Sequence, residues 1–457
     1  MKATDLIIIG AGPGGYETAI LAAKAGLQTV IIEADKAGGT CLNAGCIPTK
    51  CFCRNAEILQ NLKDAETFGI TANFCFDFQK AVERKNQVVA NLNNGIESLL
   101  KHPLITRVNG KASFVNTTTV CVEKATNRNG EPIETEYTAK NIIIATGSVT
   151  KFLPIEGAHL PKVLTSTEML NLDRIPLRLC IIGGGVIGLE FASIFNAFGS
   201  EVTVVEFCKE ILPNFDSDIA KRLKPTLKSK GINIINQAAV SNIREEGKNY
   251  VVSYDTKGKT MDIETDLVLM AVGRGANLAS LNLAEIGIAT ERKGISVDDN
   301  MLTNISGIYA IGDINGRCQL AHAAYFQGRR ALNHLLGKTD NIRFDIMPAA
   351  VFTNPEAATV GLTEDYCKAN GMICKTHKAF FRSNGKALSM NEPEGMVKII
   401  TDEAGKLLGC HLFGAHAADL IQEITALLCK NSTLDELYNI IHAHPTLGEV
   451  VMNAAEA

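Results

Sequence analysis

The sequence predicts an α/β protein in which two Rossmann-like nucleotide-binding domains are followed by a C-terminal α+β domain. Three observations carry this. One pattern of apolar strand, glycine-rich turn, helix and acid-tipped strand occurs twice; three further apolar strands end in glycine or an acid; and past about Phe344 the pattern changes to alternating strands and then helices. A chain of 457 residues is too long for one hydrophobic core, so roughly three domains of about 100 to 200 residues are expected.

The first copy runs from Leu6 to Ile9 through Gly10, Gly12 and Gly15, along a helix to Lys24, and into Thr29 to Ile32, ending at Glu33. The second runs from Leu179 to Ile182 through Gly183, Gly185 and Gly188, along a helix to about Phe198, and into Val202 to Val205, ending at Glu206. A dinucleotide needs these residue types. The first glycine permits a tight turn, the second lets the backbone approach a pyrophosphate, and the third lets helix pack on strand. The pyrophosphate then meets unpaired N–H groups at the positive end of the helix, and an acid about 20 residues on accepts hydrogen bonds from ribose hydroxyls. One such glycine pattern is weak; two in full strand–turn–helix–strand–acid context are specific.

Ile142 to Ala145 form another strand, closed by Thr146-Gly147, with a boundary just beyond. Asp266 to Gly273 again end a strand in glycine. Ile308 to Ile311 lead into Gly312-Asp313, which puts an acid at the carboxyl end of a strand, where ligands bind in such sheets. Near the end of the chain, Met396 to Ile400 and Leu408 to Leu412 read as strands, and Ala418 to Leu428 and Leu434 to Ile441 as helices.

Composition narrows the partners. An apolar fraction of 46% and a charged fraction of 21% are those of a packed soluble protein. A net charge of -4 without a long basic run argues against nucleic acid and against a polybasic membrane contact. The apolar run Leu6 to Ile9 is too short for a signal peptide, and no stretch approaches the roughly 18 residues of a transmembrane helix. Thirteen scattered cysteines do not read as a secreted disulfide framework. A cytoplasmic protein with mostly reduced, buried cysteines is expected.

Cys41-Leu-Asn-Ala-Gly-Cys46 follows the first nucleotide unit. This spacing permits a disulfide only if the chain between folds into a turn, which Asn43 and Gly45 favour, because the two Cα atoms must come within about 7 Å. It is not a zinc pattern, since no second matched pair is present, and no metal site is expected. Cys51 and Cys53 follow on a helix and read as buried small apolar residues. Two cysteines at this spacing remain ambiguous by themselves.

The surrounding run from Gly38 to Lys50, GGTCLNAGCIPTK, resembles the active-site stretch of the pyridine nucleotide–disulfide oxidoreductases, and the resemblance extends over essentially the whole chain. It implies that Cys41 and Cys46 are the redox-active pair and that residues 1–149, completed by 274–345, bind FAD. Residues 150–273 would bind the nicotinamide cofactor, and 346–457 would form a dimerisation domain. It also implies that Asp313 meets the ribityl chain of FAD, that Lys50 and Glu190 pair beside the flavin ring, and that Thr40, Thr146, Gly147, Gly273, Gly312 and Ala321 join the cofactor contacts.

The closing stretch His442-Ala-His444-Pro-Thr-Leu-Gly-Glu449 resembles that of the family's lipoamide branch. There the second histidine is the acid–base and the glutamate orients it, since a hydrogen bond at one ring nitrogen fixes which nitrogen handles the proton. By the same resemblance this dyad comes from the opposite subunit of a homodimer. The role of His442 is left open, with simple packing as one reading. Glu206 is followed by Phe207 and Cys208 rather than arginine, so a 2′-phosphate would be repelled and NAD is expected over NADP. The end Asn453 to Ala457 lacks the terminal cysteine pair of mercuric reductases. The lipoamide branch implies partners in the lipoyl domains and acyltransferase core of 2-oxo acid dehydrogenase complexes or the lipoyl carrier of glycine cleavage. An NAD-linked reductase of another small disulfide is the runner-up, and a flavin-binding subunit without activity is the alternative of another class. Three departures stand out: Gly275-Ala276-Asn277 after Gly273-Arg274, Gln327 where an acid is usual, and Thr49 in place of the commoner serine.

Overall fold

The computed structural model describes residues 2–457. They form two compact units. One holds the chain up to Thr49, Val82–Lys151 and Gly273–Ile342; the other holds Lys50–Ala81, Phe152–Val272 and Arg343–Ala457.

In the first unit an eight-stranded sheet runs in the order Lys2–Ala3, Glu136–Thr138, Thr119–Thr126, Ile105–Asn116, Thr29–Glu33, Leu6–Ile9, Asn141–Ile144, Ile308–Ala310. Its centre is parallel, with Leu6 opposite both Thr29 and Asn141, and Ile308 opposite Ile142. Leu6 to Ile9 and Ile142 to Ile144 are all buried, which is why they are unbroken apolar runs: a parallel strand covered on both faces has no polar side. Ile105–Asn116 outlasts its parallel pairing with Thr29–Glu33 and turns into an antiparallel ladder with Thr119–Thr126. Helix Pro13–Lys24 crosses helix Ala321–Leu335 closely, because Gly14 faces Ala324 and a Cβ on Gly328 would sit 1.9 Å from Thr18 Oγ1.

The second unit carries a parallel sheet in the order Asn233–Ile235, Glu201–Val205, Arg178–Ile182, Leu267–Met270, Val163–Leu164, and a three-stranded antiparallel meander from Ala239 to Thr265. Its C-terminal part is a five-stranded antiparallel sheet ordered Ala349–Val351, Glu356–Gly361, Leu407–Gly414, Met396–Thr401, Lys375–Phe380. Helices Ala417–Cys429 and Glu449–Glu456 cover it, burying Ile421, Ile424, Leu428, Val450 and Val451 against Val397, Ile399 and Leu412. The same unit thus contains Phe152–Val272 and Arg343–Ala457, which take in most of 150–273 and all of 346–457, stretches the sequence reads as separate domains. A buried ion cluster binds them: Lys398 Nζ, 1% exposed, lies 2.8 Å from Asp216, 3.1 Å from Asp218 and 2.6 Å from Glu364.

The helices expected at Ala418 to Leu428 and Leu434 to Ile441 differ in accuracy. The first spans Ala417–Cys429, whereas the second stops at Tyr438. Thr433 and Glu436 start the second with a capping box, and Asn439 ends it by returning its N–H (3.1 Å) and its side-chain amide (2.8 Å) to the Asp435 carbonyl. The chain that follows is free to present the two histidines.

Candidate active site

The two glycine turns are built alike. Gly10 has φ +104° and a Cβ there would meet the Ala145 carbonyl oxygen at 2.4 Å; Gly183 has φ +111° with the Ala271 oxygen at the same 2.4 Å. A Cβ at Gly15 or Gly188 would lie 1.9 or 2.0 Å from the carbonyl oxygen of Gly10 or Gly183, so helix and strand touch there. The middle glycines differ. At Gly12 only Gly39 Cα comes within 4 Å, at 3.9 Å, and at Gly185 nothing does. These two glycines are also the N-caps of Pro13–Lys24 and Val186–Phe198, and neither helix start has a side-chain cap. Open space in front of uncapped N–H groups is the shape a pyrophosphate fills, so both turns fit a dinucleotide.

Both acids bridge their own turn. Glu33 accepts from Ala11 N at 2.6 Å and Asp35 N at 2.9 Å; Glu206 accepts from Gly184 N and, at 2.6 Å, from Cys208 N. Each carboxylate is thus fixed beside the turn with lone pairs left for ribose hydroxyls.

Asp313 lies in the turn Gly312–Asn315, where Gly312 has φ +73°. Ser148 Oγ donates to Asp313 at 2.5 Å and accepts from Arg274 Nε at 2.8 Å, while Arg274 Nη2 donates to the Ser148 carbonyl at 2.6 Å. Burial lowers the pKa of Arg274 against the opposing influence of Asp313 and Cys46. The buried Gln327 accepts from Gly312 N at 2.7 Å and Asn315 Nδ2 at 2.8 Å, so the residue that departs from the family's usual acid holds this turn as a neutral acceptor. Asn277, in the other departing stretch, donates from its backbone N to Gly147 O at 3.0 Å and accepts at its own carbonyl from Thr146 Oγ1 at 3.1 Å. Gly273 (φ +107°) has no heavy atom near its missing Cβ, Thr40 is exposed, and Ala321 opens the helix Ala321–Leu335.

The cysteine segment is helical, not a simple turn. Gly39–Ala44 forms one short helix, Gly45 breaks it at φ −148°, ψ −110°, and Cys46 opens the helix Cys46–Lys63. The chain doubles back at Gly45, whose Cβ would come 3.5 Å from Cys41 Cα. Asn43 anchors this bend by donating to the carbonyls of Ala37 at 2.9 Å and Gly39 at 3.0 Å. Thr49 donates to Gly45 O at 2.6 Å, a bond a serine hydroxyl could also make. Cys41 is half-buried and Cys46 exposed. One turn on, Lys50 Nζ bonds both oxygens of the buried Glu190, at 2.9 and 3.0 Å, and sits 4.3 Å from the centre of the Phe352 ring. Phe352 N also donates to Glu190 at 3.0 Å. Cys51 is buried as expected; Cys53 reaches Phe352 O at 3.5 Å, and burial, with Glu190 next, pushes its thiol up to about 12, which makes it inert.

At the C-terminal end His444 Nδ1 lies 2.8 Å from Glu449 Oε1, with the imidazole 80% exposed. The Thr446 N–H and the His444 ring hold the Glu449 carboxyl below the usual carboxylate range. His442 does more than pack: its Nδ1 faces Ile440 O and its Nε2 faces Glu423, each at 2.9 Å.

The expected residues therefore gather as two dinucleotide turns, a thiol pair at a helix start, a Lys50–Glu190 pair and a His444–Glu449 dyad. Sequence reasoning missed Ser148, Phe352 and Glu423 as partners. Ser148 follows Thr146-Gly147 at a strand end, a usable signal, and Glu423 closes the stretch from Gly409 that also resembles the lipoamide branch, but nothing local marks Phe352.

Residues 4–328 match the model described as pyridine nucleotide-disulphide oxidoreductase, and 347–455 match the dimerisation domain of the same family. The chain is 40% identical to a dihydrolipoyl dehydrogenase of Chlamydia muridarum, covering 99% of this chain and 96% of that protein. It is 39% identical to the dihydrolipoyl dehydrogenase of Geobacillus stearothermophilus, with the same coverage of both. Among solved structures it resembles a Cu(II) complex of the HOCl-induced flavoprotein disulfide reductase RclA from Escherichia coli, with TM-score 0.88, 31% identity and coverage of 100% of this chain and 99% of that one. With two family models matched across nearly its whole length, the chain belongs to the pyridine nucleotide–disulphide oxidoreductase family.

Proposed function

We propose that this protein is an NAD-dependent dihydrolipoyl dehydrogenase, oxidising dihydrolipoamide to lipoamide through Cys41, Cys46 and FAD. The observation that carries it is the His444–Glu449 dyad, 2.8 Å between Nδ1 and Oε1, in a chain whose backbone doubles back at Gly45 between Cys41 and Cys46. Relatives at 38 to 40% identity over their full length carry the name dihydrolipoyl dehydrogenase.

Glu449 holds Nδ1 of His444, which leaves Nε2 to take the substrate's thiol proton, and the carboxylate stabilises the imidazolium that results. The substrate thiolate attacks Cys41 Sγ of the Cys41–Cys46 disulfide and displaces Cys46; the second substrate thiol then attacks the mixed disulfide and releases lipoamide. Two electrons now reside on the Cys41–Cys46 dithiol. FAD, when bound, supplies the redox chemistry that carries them on to NAD. For FAD the binding residues are Gly10, Gly12, Gly15, Glu33, Thr40, Lys50, Thr146, Gly147, Glu190, Gly312, Asp313 and Ala321, in a domain of residues 1–149 completed by 274–345. For NAD they are Gly183, Gly185, Gly188, Glu206 and Gly273, in a domain of residues 150–273. Glu206, without a neighbouring arginine, selects against a 2′-phosphate.

Residues 346–457 form the interface of a homodimer in which each dyad serves the thiols of the other subunit. The partners are lipoyl domains and the acyltransferase core of a 2-oxo acid dehydrogenase complex, or the lipoyl carrier of glycine cleavage. Scattered cysteines fit a reducing compartment, and the cytoplasm is the proposed location; among the described residues no helix is long and apolar enough to cross a membrane.

The test is an anaerobic assay of the flavin-loaded protein with dihydrolipoamide, comparing NAD with NADP. Fast turnover with NAD alone is expected. No turnover with flavin bound and both thiols intact would overturn the substrate. The second reading, a reductase of another small disulfide, draws on the likeness to the flavoprotein disulfide reductase RclA, and NADH-driven reduction of such disulfides in the same assay separates the two.

A further inference from the structure

His442 is the one histidine of the closing stretch to which the thiol chemistry gives no task. It precedes His444 by two positions, yet the two rings are set oppositely: the His442 side chain is 8% exposed and that of His444 80%. Both lie in the segment between the helices Leu434–Tyr438 and Glu449–Glu456, and side chains tie that segment down. The Ile440 carbonyl, which can only accept, takes a hydrogen bond from His442 Nδ1 at 2.9 Å, and Nε2 pairs with Glu423 Oε1, also at 2.9 Å. Engaging both nitrogens fixes the orientation of the ring. Its anchor is rigid, because Glu423 belongs to the helix Ala417–Cys429, whose Ile421, Ile424 and Leu428 sit in the core. The ring also touches the support of the dyad. A Cβ on Gly448 would lie 3.5 Å from His442 Cδ2, and Gly448 is the N-cap of the helix that Glu449 opens.

We infer that His442, clamped between Glu423 and the Ile440 carbonyl, is a positioning residue for the acid–base: it seats Gly448 and thereby sets Glu449 against His444. The inference deepens the proposed dithiol oxidation and rests on that reading for its substrate. His442 touches no reacting atom and acts only through the dyad. The segment has a second tie, since Asn384, 3% exposed, donates to the Thr446 carbonyl at 3.0 Å. Losing His442 therefore loosens the dyad without freeing it. A misplacement of about 1 Å costs roughly 100-fold in rate, and the loss of the acid–base itself, roughly 10²- to 10⁴-fold, sets the ceiling. His442→Ala should accordingly lower kcat by roughly 10- to 100-fold and leave the KM for NAD unchanged, because NAD does not meet the dyad.

The test uses the flavin-loaded full-length protein and the variants His442→Ala, Glu423→Ala and Glu423→Gln, each alone and combined with His444→Ala. Dihydrolipoamide turnover should fall alike in His442→Ala and Glu423→Ala. Glu423→Gln, whose amide oxygen can still accept from Nε2, should recover most of the rate. On top of His444→Ala, His442→Ala should cost nothing more, since the group it positions is gone. Oxidation of NADH by ferricyanide, which needs the flavin but no thiol proton, should keep its rate in every variant and so separates misplacement of the dyad from damage to the fold. Crystal structures of wild type and His442→Ala supply a readout that needs no substrate: Glu449 should move out of hydrogen-bond reach of His444 Nδ1, from 2.8 Å. Full turnover in His442→Ala, the same fractional loss with and without His444, or an unmoved dyad would overturn the inference. A wild type inert toward dihydrolipoamide would count against the substrate alone, and the two crystal structures would still decide the role of His442.

Discussion

Gly185 and Gly188 lie three residues apart in one turn, and the structure assigns them opposite reasons for being glycine. Gly185 has φ −80° and ψ −171°, open to any residue, and no heavy atom within 4 Å of its missing Cβ. Alanine there costs about 0.5–1 kcal/mol as a poorer N-cap and regains about 0.4–1 kcal/mol by restricting the unfolded chain, so the fold should be nearly indifferent. The methyl would instead occupy the approach of the NAD pyrophosphate. Losing one charge-assisted hydrogen bond to it, about 1.5–3 kcal/mol, raises KM for NAD roughly 10- to 150-fold. At Gly188 the added Cβ would stand 2.0 Å from the Gly183 carbonyl oxygen. Helix and strand must separate, at about 1–3 kcal/mol or more, which lowers Tm by several degrees, at about 2–4 °C per kcal/mol for a unit of this size. The assay pairs thermal melting and bound-flavin absorbance with NAD kinetics at saturating dihydrolipoamide. Gly185→Ala should keep its Tm and flavin and lose NAD affinity; Gly188→Ala should lose Tm. An unchanged KM in Gly185→Ala, or equal melting losses in both variants, would refute the reasoning.

Other outcomes follow from the same geometry. Cys41→Ser should abolish dihydrolipoamide turnover while retaining FAD, measured by steady-state assay and visible absorbance. His444→Ala should slow turnover by roughly 10²- to 10⁴-fold, and adding Glu449→Gln to it should cost nothing more, because Glu449 acts through His444; an additive double variant contradicts the dyad. Lys398→Met leaves Asp216, Asp218 and Glu364 without their shared cation and should destabilise the protein by about 3–5 kcal/mol, read by urea unfolding. Its pH dependence has a definite sign. Burial pushes the Asp218 carboxyl up, but Lys378 and Lys398 together outweigh this and hold it well down, and Lys368 and Lys398 lower Glu364. Carboxyls depressed in the folded state contribute stability that is present above the unfolded pKa of about 4 and lost as pH falls through the folded one. The gap between wild type and Lys398→Met should therefore be widest near neutrality and close on acidification; a gap that widens in acid excludes this account.

Most of the nucleotide-binding frame was legible because its constraints are local. Leu6 to Ile9 and Thr29 to Glu33 appear with their expected limits, and the second copy gains one residue at the start of each strand, at Arg178 and Glu201. The helix Phe78–Leu99 and the antiparallel strands Ile105–Asn116 and Ala239–Glu246 went unassigned, since half-exposed elements mix polar and apolar residues and lack a motif. The expected helix end at Ile441 failed for a different reason: Asn439 caps the helix early, and a single polar cap leaves little trace in the apolar pattern.

The sequence by itself determined the two glycine turns with their acids, because their spacing and residue types are written along the chain; the Cys41 and Cys46 pair and the candidate dyad were legible only through a family resemblance. Only the tertiary structure decided that Ser148 bridges Arg274 to Asp313, that Phe352 locks Lys50 and Glu190, and that Lys398 gathers three carboxylates. These join residues far apart in sequence, where side-chain chemistry names many possible partners and only packing selects one.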